Sequence, residues 1–179
     1  MLNFDISNIE YQDLIDFVDK NIVDFTNFEI SISFKADYNQ SKMIRLLISY
    51  FFDKININGP RKWRFSLLSD ELMNNSIEHG SSPLDKNLFI LKFLVKDNFL
   101  YINIEVADTG RWVWAKTSVQ MLEIKQQKEI EWFEGFLGKR WRWLFQLINN
   151  IVDDIYFKDR PEWWLIVWVT KKIDLTATS

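Results

Sequence analysis

The chain has 179 residues and a mass of 21.6 kDa, the size of one domain with room for a single sizeable core. A formal charge of −3 and a pI near 5.3 exclude a global basic field for nucleic acid or anionic lipid. Cysteine is absent, removing disulfides, thiolate metal sites and cysteine nucleophiles, and 47% hydrophobic with 26% charged residues describes a globular, cytoplasmic domain rather than a disordered one.

The N-terminus MLNFDISNIEYQDL is acidic and interrupted, so it reads as neither a signal nor a transit peptide. No stretch approaches 18 uncharged apolar residues, and no membrane span is expected. Residues 9–25 place Ile9, Leu14, Phe17, Val18, Ile22 and Phe25 near one face, which predicts an amphipathic helix. FEISISF then alternates Phe28, Ile30, Ile32 and Phe34, the period-2 pattern of a half-buried strand. Residues 41–55 read as a helix. After the Gly59-Pro60 turn a second helix is expected over 60–79, stopped by Gly80.

Two strands follow, 87–96 and 99–108, joined at Asp97-Asn98 as a hairpin. Residues 109–141 show poor periodicity and many charges, which predicts a long loop with one short helix, and loops of that length in a compact domain are usually functional. A helix over 143–152 and strands over 154–158 and 164–171 complete the order. We see no repeat, low-complexity tract or linker. Residues 28–175 therefore read as one domain, with 1–27 a helical extension and 176–179 a tail. The expected fold is α/β (α+β), a two-layer sandwich of a mixed, mostly antiparallel sheet with helices on one face.

On the helix of residues 60–79, Glu71, Asn75, Glu78 and His79 fall at i, i+4, i+7 and i+8, opposite Leu67, Leu68 and Leu72. Glu71 there can orient a water or hydroxyl nucleophile, and Asn75 can offer Mg²⁺ a hard oxygen. The same spacing also suits a solvated polar face. Val106-Ala107-Asp108-Thr109-Gly110 puts an acid and a glycine at the exit of an apolar strand. Such an acid can accept from an exocyclic amine while the glycine admits a planar ligand, although Asp-Thr-Gly is also an ordinary turn. Gly138, Lys139, Arg140, Trp141, Arg142, Trp143 and Leu144 open a helix whose N–H groups and three cations suit phosphate. The glycine spacing is not that of a P-loop.

In this order, ELMNNSIEHG, VADTG after a hairpin, and GKRWRWLFQLINNIVDDIYF before a last strand resemble the GHKL ATPase superfamily shared by gyrase and histidine kinases. Within it the chain is similar to the small anti-sigma-factor serine kinases, over residues 28–175. The resemblance implies the histidine kinase-like ATPase fold, ATP and Mg²⁺ as ligands, Glu71 as catalytic base and Asn75 as the metal ligand. It further implies that Asp108 binds the adenine amino group with Gly110 beside it, and that residues 138–144 form the ATP lid and its phosphate turn. His79 reads either as a helix-end residue or as a phosphate contact. The implied partner is a protein of the anti-sigma antagonist or sigma-factor type, and a homodimer is expected by the same analogy.

The departures from that pattern share one feature. Trp112 stands at the second glycine of Asp-x-Gly-x-Gly, Trp141 and Trp143 at the lid glycines, and Trp163-Trp164 at a common Gly-Gly. Leu165 replaces a Thr that often helps hold the base. Glycine numbers five, roughly 3% against an average near 7%, while tryptophan numbers nine. Five exchanges of the smallest residue for the largest at diagnostic points suggest a gene that uses UGA for glycine, read here as tryptophan. Taken at face value, Arg-Trp-Arg-Trp would stack on bases or anchor at a membrane interface, which the net charge of −3 disfavours. Real tryptophans would otherwise suggest a non-catalytic module that sequesters a partner, since a tight phosphate turn does not accept indoles without strain.

Overall fold

A computed structural model describes residues 1–110, 116–134, 151–159 and 165–176, of which 128–134 as backbone only. The fold is α+β, an open six-stranded sheet with four helices among the described residues, arranged as a two-layer sandwich. In chain order the elements are β1 (Leu2–Asp5), α1 (Tyr11–Asn21), β2 (Asn27–Lys35), α2 (Tyr38–Lys54) and α3 (Pro60–Asn75). A π-helical turn (Ser76–Gly80) continues α3, and β3 (Lys86–Lys96), β4 (Phe99–Ala107), α4 (Ser118–Glu134), β5 (Asp154–Asp159) and β6 (Leu165–Asp174) follow. The strand order is β1-β2-β3-β4-β6-β5; β1 runs parallel to β2 and the other pairs are antiparallel.

Period-2 alternation sets which face of the sheet is dry. Ile30 of β2 lies opposite Leu91, Leu91 opposite Ile104, and Ile104 opposite Val169, so one apolar row crosses four strands. Phe51 and Phe52 of α2, with Phe65, Leu68, Leu72 and Met73 of α3, belong to the same buried cluster. Phe28, Phe51 and Phe93 join helix to sheet with ring centroids 4.6 and 5.2 Å apart along Phe51–Phe28–Phe93. Each such buried ring contributes about 1.5–3 kcal/mol by removal from water.

Local chemistry ends the elements where it should. Asp37 caps α2 by accepting from the Asn39 N–H at 2.9 Å, and Gly59 at φ 75 precedes Pro60 at the first turn of α3. Asp97 (φ 51) and Asn98 (φ 62) form the two-residue hairpin between β3 and β4, a left-handed pair that matches strand twist.

Two elements differ from expectation. Residues 109–141 contain a 17-residue helix, α4, where a long loop with one short helix was expected. Among its described side chains, Val119 and Leu122 are exposed and form no apolar stripe; its start is held by Ser118, which donates through N and Oγ to the Asp159 carboxylate, both at 2.7 Å. The first 27 residues carry a strand as well as the expected helix. Ile6, Leu14 and Val18 are fully buried in the common core, and Lys86 binds the Asp5 carboxylate at the sheet edge. Burial pushes that carboxyl up, but the bonds from Lys86 and Ser7 prevail and hold it at about 2.

Candidate functional site

The site is built where the end of α3 meets the end of β4. Glu71 and Asn75 stand one turn apart on the last part of α3, both half-buried. The helix expected over 60–79 is present, but it is α-helical only to Asn75 and winds as a π turn over 76–80. A π turn holds more residues than an α turn, so Glu78 and His79 leave the i+7 and i+8 positions that would align them with Glu71. Glu78 instead accepts from the Tyr38 hydroxyl at 3.1 Å, and His79, half-exposed, lies 3.7 Å from its other oxygen. Glu71 and Asn75 thus keep their shared face, whereas Glu78 turns toward the start of α2.

Asp108 follows β4 and is 6% exposed. Its N–H donates to the Leu165 carbonyl at 3.1 Å, and its Oδ1 accepts from the Gly110 N–H at 2.9 Å. Gly110 sits at φ 62, a left-handed conformation that favours glycine. Burial raises the Asp108 carboxyl from 3.8 to about 6, against the opposing backbone bonds from Gly110 and Leu165. A carboxyl so desolvated gains by accepting from a further donor, which an exocyclic amine supplies.

Thr109 of that turn and residues not singled out from the sequence frame this carboxyl. Thr109 Oγ1 donates to Asp85 Oδ2 at 2.7 Å, the same oxygen that accepts from the Ser82 N–H at 2.8 Å. Asn87, buried between β3 and the π turn, donates to Ser76 Oγ at 3.1 Å and accepts from the Ser81 hydroxyl. The π turn, the 81–85 segment and the Asp108-Thr109-Gly110 turn are therefore one hydrogen-bonded unit. Thr109 belongs to a recognisable Asp-Thr-Gly turn, but its bond to Asp85 does not show in the sequence, because the two lie 24 positions apart. Gly80 was legible as a helix stop; its second role depends on Asp108 and is visible only in the fold.

Trp112, Gly138, Lys139, Arg140, Trp141, Arg142, Trp143 and Leu144 lie outside the described residues, as do Trp163 and Trp164. Among the described residues no group of three or more His, Asp or Glu gathers as a metal centre, and no helix is long and apolar enough to cross a membrane. Magnesium bound with a nucleotide takes one or two protein oxygens and fills its sphere with phosphate and water, so the half-buried Asn75 amide fits that demand. The chain matches no protein-family model and no curated protein.

Proposed function

We propose that the chain is an ATP- and Mg²⁺-binding domain of the GHKL type that phosphorylates a serine of a partner protein and binds that partner in a nucleotide-regulated way. The observation that carries this reading is the buried Asp108 carboxyl, backed by two glycines, at the end of the helix that bears Glu71 and Asn75. A desolvated acceptor beside a side-chain-free backbone suits a flat base with an exocyclic amine. Five and nine residues before Gly80, the Asn75 amide oxygen and the Glu71 carboxylate suit the other end of the nucleotide.

In this reading Asp108 holds the adenine amine and Asn75 holds Mg²⁺, which supplies charge neutralisation at the phosphates. Glu71 orients the acceptor hydroxyl and takes its proton as the serine oxygen bonds to the γ-phosphorus. The bond from that phosphorus to the bridging oxygen breaks, and ADP leaves. Lys139, Arg140 and Arg142, with the lid amides, offset charge on the transferred group. The partner is a protein of the anti-sigma antagonist or sigma-factor type, the protein acts in the cytoplasm, and a homodimer belongs to the same analogy.

The test is transfer of labelled phosphate from ATP to a candidate partner by the full chain carrying Trp112→Gly, Trp141→Gly, Trp143→Gly, Trp163→Gly and Trp164→Gly. Loss of transfer in Glu71→Ala with nucleotide binding intact supports catalysis. Binding without any transfer supports a sequestering module instead, the reading favoured by tryptophan at five motif positions. No magnesium-dependent affinity for ATP sinks both. At the DNA level, UGA codons at those five positions support the glycine reading and UGG codons refute it.

A further inference from the structure

We propose that Gly80 is a positioning residue for base recognition, whose missing side chain lets the Asp108 carboxyl lie against the end of α3 where it can meet an adenine amine. This rests on the nucleotide reading above and adds to it a residue outside the ligand-contacting set. A Cβ built on Gly80 would stand 2.1 Å from Asp108 Cγ, 2.2 Å from Oδ2 and 2.4 Å from Cβ, all far inside any real contact. The backbone of Gly80 is not left-handed, so alanine is excluded by space and not by dihedral preference.

The geometry leaves Asp108 no easy retreat. Rotation about its side-chain bonds moves Cγ and Oδ2 but leaves Cβ at 2.4 Å, so the main chain itself must shift. That main chain is tied on two sides. The Asp108 N–H is bonded to Leu165 of the neighbouring strand, and Thr109 is bonded to Asp85 and reaches the Gly80 carbonyl at 3.4 Å. A shift of Asp108 also breaks the bond from Gly110, the left-handed residue expected to flank the base.

The consequence is chemical and not only structural. A carboxylate in this place accepts from the 6-amino group of adenine and faces the 6-oxo acceptor of guanine without a proton between them. Displacing it should therefore reduce preference between bases more than general phosphate affinity. Gly80 would thus act through Asp108 on nucleotide choice.

The test compares magnesium-dependent ATP and GTP affinities in the full chain with the five Trp→Gly changes, then adds Gly80→Ala, Asp108→Gly, or both. Gly80→Ala is expected to weaken ATP about 10- to 100-fold, the scale of a lost hydrogen bond to a charged group, and to bring the ATP:GTP ratio near one. In the Asp108→Gly background, which lacks all three clashing atoms, the same change should leave stability and the ratio unaltered. If Gly80→Ala does not fold, recovery of folding in the double variant supports the inference, and failure of both overturns it. A folded Gly80→Ala that keeps the parent ratio also overturns it while leaving the nucleotide reading intact. A parent chain with no ATP affinity overturns the nucleotide reading first, and this inference with it.

Discussion

Replacing Asp108 by asparagine should make the protein more stable at neutral pH, although the wild-type carboxyl is well packed and hydrogen-bonded. Burial raises that carboxyl from 3.8 to about 6, so the folded chain holds its proton more tightly than the unfolded chain does. Below about pH 3 both states are protonated and folding is unopposed by this group. As pH rises toward 6 the unfolded chain releases the proton first, and stability falls. Above pH 6 the loss is complete and levels off. At 1.36 kcal/mol per tenfold in proton affinity, the interval between 3.8 and about 6 corresponds to about 3 kcal/mol.

Asparagine keeps an oxygen for the Gly110 N–H but must place an amide NH₂, so a gain of about 1–3 kcal/mol at pH 7.5 is expected, shrinking to near zero at about pH 3. For a chain of this size the upper value corresponds to roughly 6–12 °C in Tm. Urea unfolding of both proteins across that range reads the difference directly, and subtracting the two curves removes the titration of every other carboxylate. A difference that does not change with pH, or a variant less stable than wild type at pH 7.5, refutes the argument. A stabilising substitution at a buried polar group is itself a mark of a position kept for function and not for folding.

Glu71→Gln should leave ATP affinity within a few-fold while lowering phosphoryl transfer about 10²- to 10⁴-fold, the usual share of a general base, as measured by single-turnover transfer. Adenosine affinity, followed by calorimetry, should weaken as pH drops through about 6, because a protonated Asp108 loses acceptor capacity; Asp108→Asn should flatten that dependence. Phe51→Ala, which removes a fully buried ring between helix and sheet, should destabilise the fold by about 3–5 kcal/mol in chemical denaturation. Asn98→Ala should lose about 1 kcal/mol at the left-handed hairpin position, and Asn98→Gly should lose nothing.

Much of the architecture was legible in the order of residues alone. Alternation of Phe28, Ile30, Ile32 and Phe34 named β2 because one face of a strand must be dry, and Asp97-Asn98 named the hairpin because few residue types accept two left-handed positions. Glu71 and Asn75 were placed on one face by helical spacing, a purely local rule. Three features needed the assembled fold. β1 is four residues long and becomes a strand only by pairing with β2, and the described side chains of α4 form no apolar stripe for a periodicity to reveal. The π turn that draws Glu78 and His79 away from Glu71 is the third. The same holds for the requirement at Gly80, since the atoms that forbid a side chain there belong to a residue 28 positions later. Local sequence sets which backbone conformations are cheap; contacts between distant segments decide which space is already taken, and that information exists only once the chain has closed on itself.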